Sequence, residues 1–429
     1  MMRKNIYLLA VLLFAGAAAM GQSPKGKYGT FALTNASIET ITKGVITNGT
    51  VVIQDGKIAA VGTQVSIPQG AEIIDCKGQW IFPGLIDGGT NLGLTEVNSD
   101  PRTRDFSDVG DVIPQMRALV AVNPNSALIP VTRVDGVTTV IASPSGSMLP
   151  GTAALINLFG YTPDQMYAGV EALVLEFPNT GRRGNFDRRT DEEVKKASEK
   201  ATARLNEVWD KAEQYYKLDS ALKGKGEYYP ELQSILPVLR GERALMIEVN
   251  KDKDIRAALA WVKTRKIKNV VLCGVAEGWR VADEIAKVKI PVITGPVLAI
   301  PTREYDRYDK AYANAGLMRK AGVKVAIRTT DSENVRRLPY HAGFAAAYGM
   351  GREEALRAIT IVPAEILGVA DKLGSIEVGK TANLVVTDGD ILEARTDVKQ
   401  VFISGWKIPM VSRHTLLYDE FLKREPGTK

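Results

Sequence analysis

The stretch PGLIDGGTNLGL, residues 83 to 94, carries a short apolar run, GLID, that ends in small and polar residues. A buried barrel strand reads this way where it meets its functional loop: side chains packed on both faces give a continuous apolar run, and the chain turns polar as it leaves the sheet. Further runs of this texture follow as VTTVIA, ALINL, ALVLEF, ALMIEV, NVVLCG, PVITG and VKVAI. Helical stretches alternate with them, so the pattern predicts βα units and a parallel sheet. With GLID they make eight, the number that closes a barrel.

The outer segments have a different grain. GTVVIQDGKIAAVG sets two apolar runs around Asp55-Gly56, a hairpin signal, and GSIEVGKTANLVVTDGD and VKQVFISGWKIPM near the other end are again strands with Gly-centred turns. The expected fold class is therefore α/β. A (β/α)8 TIM-like barrel takes residues 83–377, and a composite β-sandwich is built from 29–82 and 378–412. A helical insertion is expected at about 180–240. There Thr190 and Glu193 form a capping box, and Val194, Ala197, Ala201, Leu205, Val208, Ala212 and Tyr215 recur at helical spacing, which predicts a helix to about Leu222 whose stripe covers barrel surface.

The chain has 429 residues, 45% of them hydrophobic and 24% charged, which supports a large core and argues against disorder. Its formal net charge of +6 is small for that length and points to no nucleic-acid partner. MMRKNIYLLAVLLFAGAAAMGQ has a basic start, an apolar run and a small-x-small end. It reads as a signal peptide over residues 1–21, so a secreted or periplasmic protein, soluble after cleavage and free of membrane, is expected. Cys76 and Cys273 each sit in an apolar run and read as buried thiols rather than a disulfide.

DGKIAAVG, PGLIDGGTNLG, GVTTVIASPSG and, above all, EEALRAITIVPAEILGVADKLGSIEVGKTANLVVTDGD resemble the metal-dependent amidohydrolase superfamily in its imidazolonepropionase and prolidase-like branch. The resemblance spans nearly the whole chain after the leader and implies the same barrel with a composite sandwich. It also implies a reaction, in which water activated by one or two metal ions attacks an amide, lactam or ester carbonyl, nominally a carbon–nitrogen bond. The family's ligands are two histidines after the first strand, a carboxylated lysine on the fourth, histidines on the fifth and sixth, and an aspartate after the eighth. A His-x-His phrase suits a strand end because residues two apart point the same way.

Carried onto this sequence, the ligand positions fall at Gly89 and Asn91, at Glu171, at Glu248, at Gly274 and at Asp331. Only Asp331 keeps the expected type, as a vestigial general base. Independently of any placement, the chain holds two histidines, His341 and His414, where the family site takes four. One reading is a degenerate, non-catalytic or impaired relative with no cofactor, acting as a binding partner of a second amidohydrolase-like chain or as a homo-oligomer. The alternative is a hydrolase with a remodelled site of Glu171, Glu248, Asp331 and Asn91 around magnesium, manganese or calcium, since oxygen ligands suit hard cations. Three carboxylates at one mouth need compensation, and Arg328 is a candidate internal cation, with Lys251 a second. His341 reads as a packed helix residue and otherwise as a mouth residue, and a Ser332–His341–Asp331 arrangement lacks any nucleophile-elbow phrase. The basic TGRRGNFDRR segment after the fourth strand is either an anion-receiving loop or a solvated lid.

Overall fold

The computed structural model describes residues 25–181 and 187–424; the expected leader and residues 182–186 of the basic segment lie outside the described residues. Two sheets organise the chain. One has nine strands, six drawn from residues 27–83 and three from 384–408. The two ends are stitched together where Trp80–Pro83 runs antiparallel to Leu384–Thr387, with Trp80 opposite Thr387. Alternate side chains of these strands make a small core of their own, around Phe31, Ile53, Ile81, Val386 and Phe402. The Asp55-Gly56 turn is present, with both residues at positive φ, as a tight hairpin turn requires.

The second sheet has eight strands in sequence order. They are β1 (Leu85–Thr90), β2 (Val137–Ala142), β3 (Gly151–Asn157), β4 (Tyr167–Glu176), β5 (Ala244–Val249), β6 (Val270–Gly274), β7 (Val292–Thr294) and β8 (Val325–Ile327). All eight apolar runs are strands. The sheet curls until β1 and β8 meet through a bridge between Thr90 and Thr330, with Thr330 N–H donating to Gly89 at 3.1 Å. The interior is packed: a Cβ on Gly88 would stand 2.4 Å from Ile293 Cγ2, so only glycine lets β1 pass β7 at that level.

One expectation fails. β3 runs antiparallel to both β2 and β4. Short links replace the crossover helices that a parallel third strand needs, a connection at 143–150 at one end and a turn with the four-residue helix Pro163–Met166 at the other. The barrel is therefore seven parallel strands with one inverted stave.

The insertion forms α1 (Asp191–Ala221), a 31-residue helix whose capping box is Thr190 with Glu193. Its buried stripe includes Val194, Leu205, Val208, Ala212 and Tyr215, and also Trp209, which packs edge-on against Trp261 of α2 (Asp252–Arg265) at 4.9 Å. Ala197, expected on the stripe, is exposed. The stripe thus covers barrel surface. Beyond the sandwich the chain ends its described part in a further helix, Arg413–Leu422, on which His414 lies. No described helix is long and apolar enough to cross a membrane.

Candidate functional site

The C-terminal ends of the parallel strands form the mouth. On β4 and β5 the register sets Ala172 beside Ala244 and Glu176 beside Glu248, so those two glutamates end neighbouring strands at the same height. Both line a cavity of about 320 Å3, together with Gly89, Asn91, Asn250 and Arg328. Glu171 is elsewhere. It precedes the stretch that pairs with β5 and lies at the opposite end of the barrel, where Arg117 holds it at 2.7 Å and Arg243 at 3.0 Å. The fourth-strand residue at the mouth is Glu176, whose carboxylate accepts from Gly146 N–H.

Arg328, just past β8, reaches across the mouth. Its two terminal nitrogens grip both oxygens of Glu248, with Nη2 at 2.6 Å from Oε2. The arginine side chain is 8% exposed and the glutamate 21%. Burial alone would push the guanidinium toward deprotonation; the Glu248 charge and hydrogen bonds overcome that and raise its pKa, so it stays a cation. Arg328 also occupies the space above Gly89, where a Cβ would meet Arg328 Cδ at 3.3 Å and Nη1 at 3.4 Å. At Gly274 the neighbouring space is filled by Asn250, whose Oδ1 would stand 2.5 Å from an added Cβ.

Asn91 and Asp331 serve loop structure. Asn91 Oδ1 accepts from Ser332 N–H at 2.7 Å. Asp331 is bound by two amides, Asn98 at 2.9 Å and Asn334 at 3.0 Å, and is not among the residues lining the cavity. His341 is 3% exposed in the helix Leu338–Ala345, and its Nδ1 accepts from Val297 N–H at 3.1 Å. Burial, with the nearby Arg337 charge, lowers its pKa to about 4. The Ser332–His341–Asp331 arrangement is therefore not assembled by these hydrogen bonds. Among the described residues no three His, Cys, Asp or Glu side chains are grouped as a metal would need. The set Glu171, Glu248, Asp331 and Asn91 is dispersed, with Glu171 at the wrong end.

Sequence reasoning missed Asp87 and Glu176. Asp87 is fully buried beneath the mouth and accepts from Gly89 N–H at 2.9 Å and from Thr329, backbone and hydroxyl, at 3.1 and 2.6 Å. Burial raises its pKa to about 6 against those hydrogen bonds. Glu176 had a signal: it ends ALVLE as Glu248 ends ALMIE, at the C-terminal end where barrel sites form.

The eight-stranded barrel, with a composite sheet from both chain ends and polar residues gathered at its C-terminal mouth, has counterparts among known proteins. The model of the amidohydrolase family matches residues 286–407. Imidazolonepropionase of Sphingopyxis alaskensis is 26% identical over 411 residues, covering 84% of this chain and 92% of that protein. A segment of 70 residues is 40% identical to imidazolonepropionase of Colwellia psychrerythraea, covering 14% of this chain and 17% of that protein. Among solved structures, an amidohydrolase from Thermotoga maritima superposes with a TM-score of 0.77 at 24% identity, over 88% of this chain and 99% of that one. Over most of its length the chain is thus similar to imidazolonepropionases, and it shares its fold with an amidohydrolase of known structure.

Proposed function

We propose that this chain is an amidohydrolase relative whose mouth has exchanged metal-assisted hydrolysis for binding. One observation carries the reading: a guanidinium clamped on Glu248 stands over Gly89. The family's resident metal does not fit this donor set. Glycine offers no ligand at 89 or 274, the Asn91 oxygen is spent on Ser332, and the Glu248 carboxylate is spent on Arg328. A divalent cation brought beside Arg328 would also meet a buried like charge, which the low-dielectric site screens poorly. The mouth thus carries its own cation, paired with Glu248, at the place where the resemblance expects a metal.

On this reading the protein works by association, with a second amidohydrolase-like chain or with its own copies, and is exported by the leader over residues 1–21. The experiment is metal analysis of protein purified without chelator, joined to a hydrolysis screen on cyclic amides, dipeptides and esters. The expected outcome is substoichiometric zinc, magnesium, manganese and calcium and no turnover above the uncatalysed rate. A metal bound near one per chain and lost in Asp331→Ala, or turnover abolished by Glu248→Gln, overturns the reading.

A further inference from the structure

Strands β5 to β8 are parallel, so the segments that enter them all lie at the end of the barrel opposite the mouth. The register holds these entries level: Leu245 N–H donates to Asn269 at 2.9 Å, Leu272 N–H to Pro291 at 3.0 Å and Val292 N–H to Lys324 at 2.9 Å. Each of the last three entries carries exposed lysines. They are Lys266 and Lys268 before β6, Lys287 and Lys289 before β7, and Lys320 and Lys324 before β8. Lys324 is held by Glu365 at 2.7 Å, and the arginines of this face are likewise engaged, Arg243 by Glu171 at 3.0 Å and Arg319 by Glu354 at 2.7 Å. The other five lysines have no acidic partner among the described residues.

Helix ends do not account for this charge. Three helices, α2, α3 (Ala282–Val288) and α4 (Lys310–Lys320), finish on this face, and each brings roughly half a negative charge. With Glu242, exposed before β5, they balance about half of the five ammonium groups. Lys266 and Lys289 also hold left-handed backbone, at φ 55° and 57°, where glycine is favoured to end a helix. Both places carry a charged side chain although the backbone alone favours none. The kind of cation selects the partner. Protein interfaces are enriched in arginine and depleted in lysine, whereas here the arginines are spent internally and the lysines are free. Ammonium groups on flexible stems need no fixed matching geometry. That suits a fluid plane of anionic headgroups, where each strengthens attachment about fivefold. Val288, 47% exposed between Lys287 and Lys289, is an apolar tip able to enter the headgroup layer. We propose that this face docks on an anionic lipid bilayer through Lys266, Lys268, Lys287, Lys289 and Lys320, with the mouth turned away into solution. The contact is electrostatic and peripheral, and it does not depend on what the mouth does.

The test is co-sedimentation of the full chain with vesicles of phosphatidylcholine, alone or with about 30% phosphatidylglycerol. At low salt the anionic vesicles should bind at least about tenfold tighter than the neutral ones, and most of the difference should vanish at about 0.5 M salt. Lys268→Gln, Lys287→Gln and Lys289→Gln together should remove at least about tenfold of that affinity, with an unaltered melting curve. The same change in charge made elsewhere, by Lys77→Gln, Lys196→Gln and Lys200→Gln, should leave most of it in place. Any contribution of residues 1–21 is common to all three proteins, so the comparison among them isolates the face. Equal binding to both kinds of vesicle, or equal loss in the two triple variants, overturns the proposal. So does tighter binding, at matched charge, to poly-L-glutamate or to duplex DNA, which would assign the face to an acidic protein or to nucleic acid.

Discussion

Arg328 and Glu248 form a bidentate pair with the arginine almost wholly enclosed. Such a pair contributes little net stability over an apolar alternative, but removing one member strands a charge in a poor solvent. Arg328→Ala should therefore cost about 3 kcal/mol, at the low end for a buried pair because Glu248 keeps some solvent contact. Chemical denaturation measures it, and Glu248→Gln added to the variant should restore part of the loss. A change within about 0.5 kcal/mol would mean that the pair is solvated and that the site carries no internal cation. His341 and Asp87 act on acid stability with opposite signs. His341 is held neutral, its pKa lowered from 6.5 to about 4, so the unfolded chain binds more protons and stability is lost as pH falls through that window. Asp87 has its pKa raised from 3.8 to about 6, so the folded chain binds more protons and stability is gained as pH falls from about 6 toward 3.8. The two oppose each other in the wild type. His341→Gln, whose amide oxygen can still accept from Val297 N–H, removes one side of that balance. Relative to wild type it should become more stable on going from pH 7 to pH 4, by roughly 3 kcal/mol at most. A wild-type-to-variant difference that does not change with pH would show that the imidazole titrates normally.

At the level of elements, the eight strands were legible because β-branched apolar runs on a two-sided sheet leave no other reading. The capping box at Thr190 and Glu193 was legible for the same reason: its chemistry is local. Direction was not. ALINL looks the same whichever way the chain runs through the barrel, and only the pairing of Thr139 with Asn157 and of Ala172 with Ala153 reveals that β3 is inverted. The placement of Glu171 failed similarly. An acidic residue stands at each end of the run ALVL, and the register with β5, rather than the run itself, decides that Glu176 has reached the mouth. Trp209 was missed on α1 because the stripe was traced at spacings of three and four, one alanine of which, Ala197, is exposed, while the large ring one position beyond Val208 carries the packing against Trp261. Of the mouth, Glu248, Arg328, Gly89 and Gly274 were identifiable by position along their strands. Their mutual arrangement was not, because Arg328 and Glu248 are 80 residues apart.

For the molecule as a whole, the inverted stave has a kinetic consequence. β2, β3 and β4 form an antiparallel meander in which Ala142 meets Ala154 and Val174 meets Gly151, so these contacts close short loops. The barrel seam instead joins Thr90 to Thr330, across most of the chain. Loop-closure entropy delays contacts far apart in sequence, and local ones form first. The meander is thus a natural nucleus for assembly, with the β1–β8 seam the last gap to shut and the first to open. Native-state hydrogen exchange should then show amides of β2–β4 protected to the level of global unfolding. Thr330 N–H and Asn91 N–H at the seam should exchange through a lower-energy opening, and equal protection at both places would rule out this order of assembly. An opening there would release Arg328 from the mouth along with the strand that carries it, so the seam's breathing and the mouth's occupancy share one equilibrium.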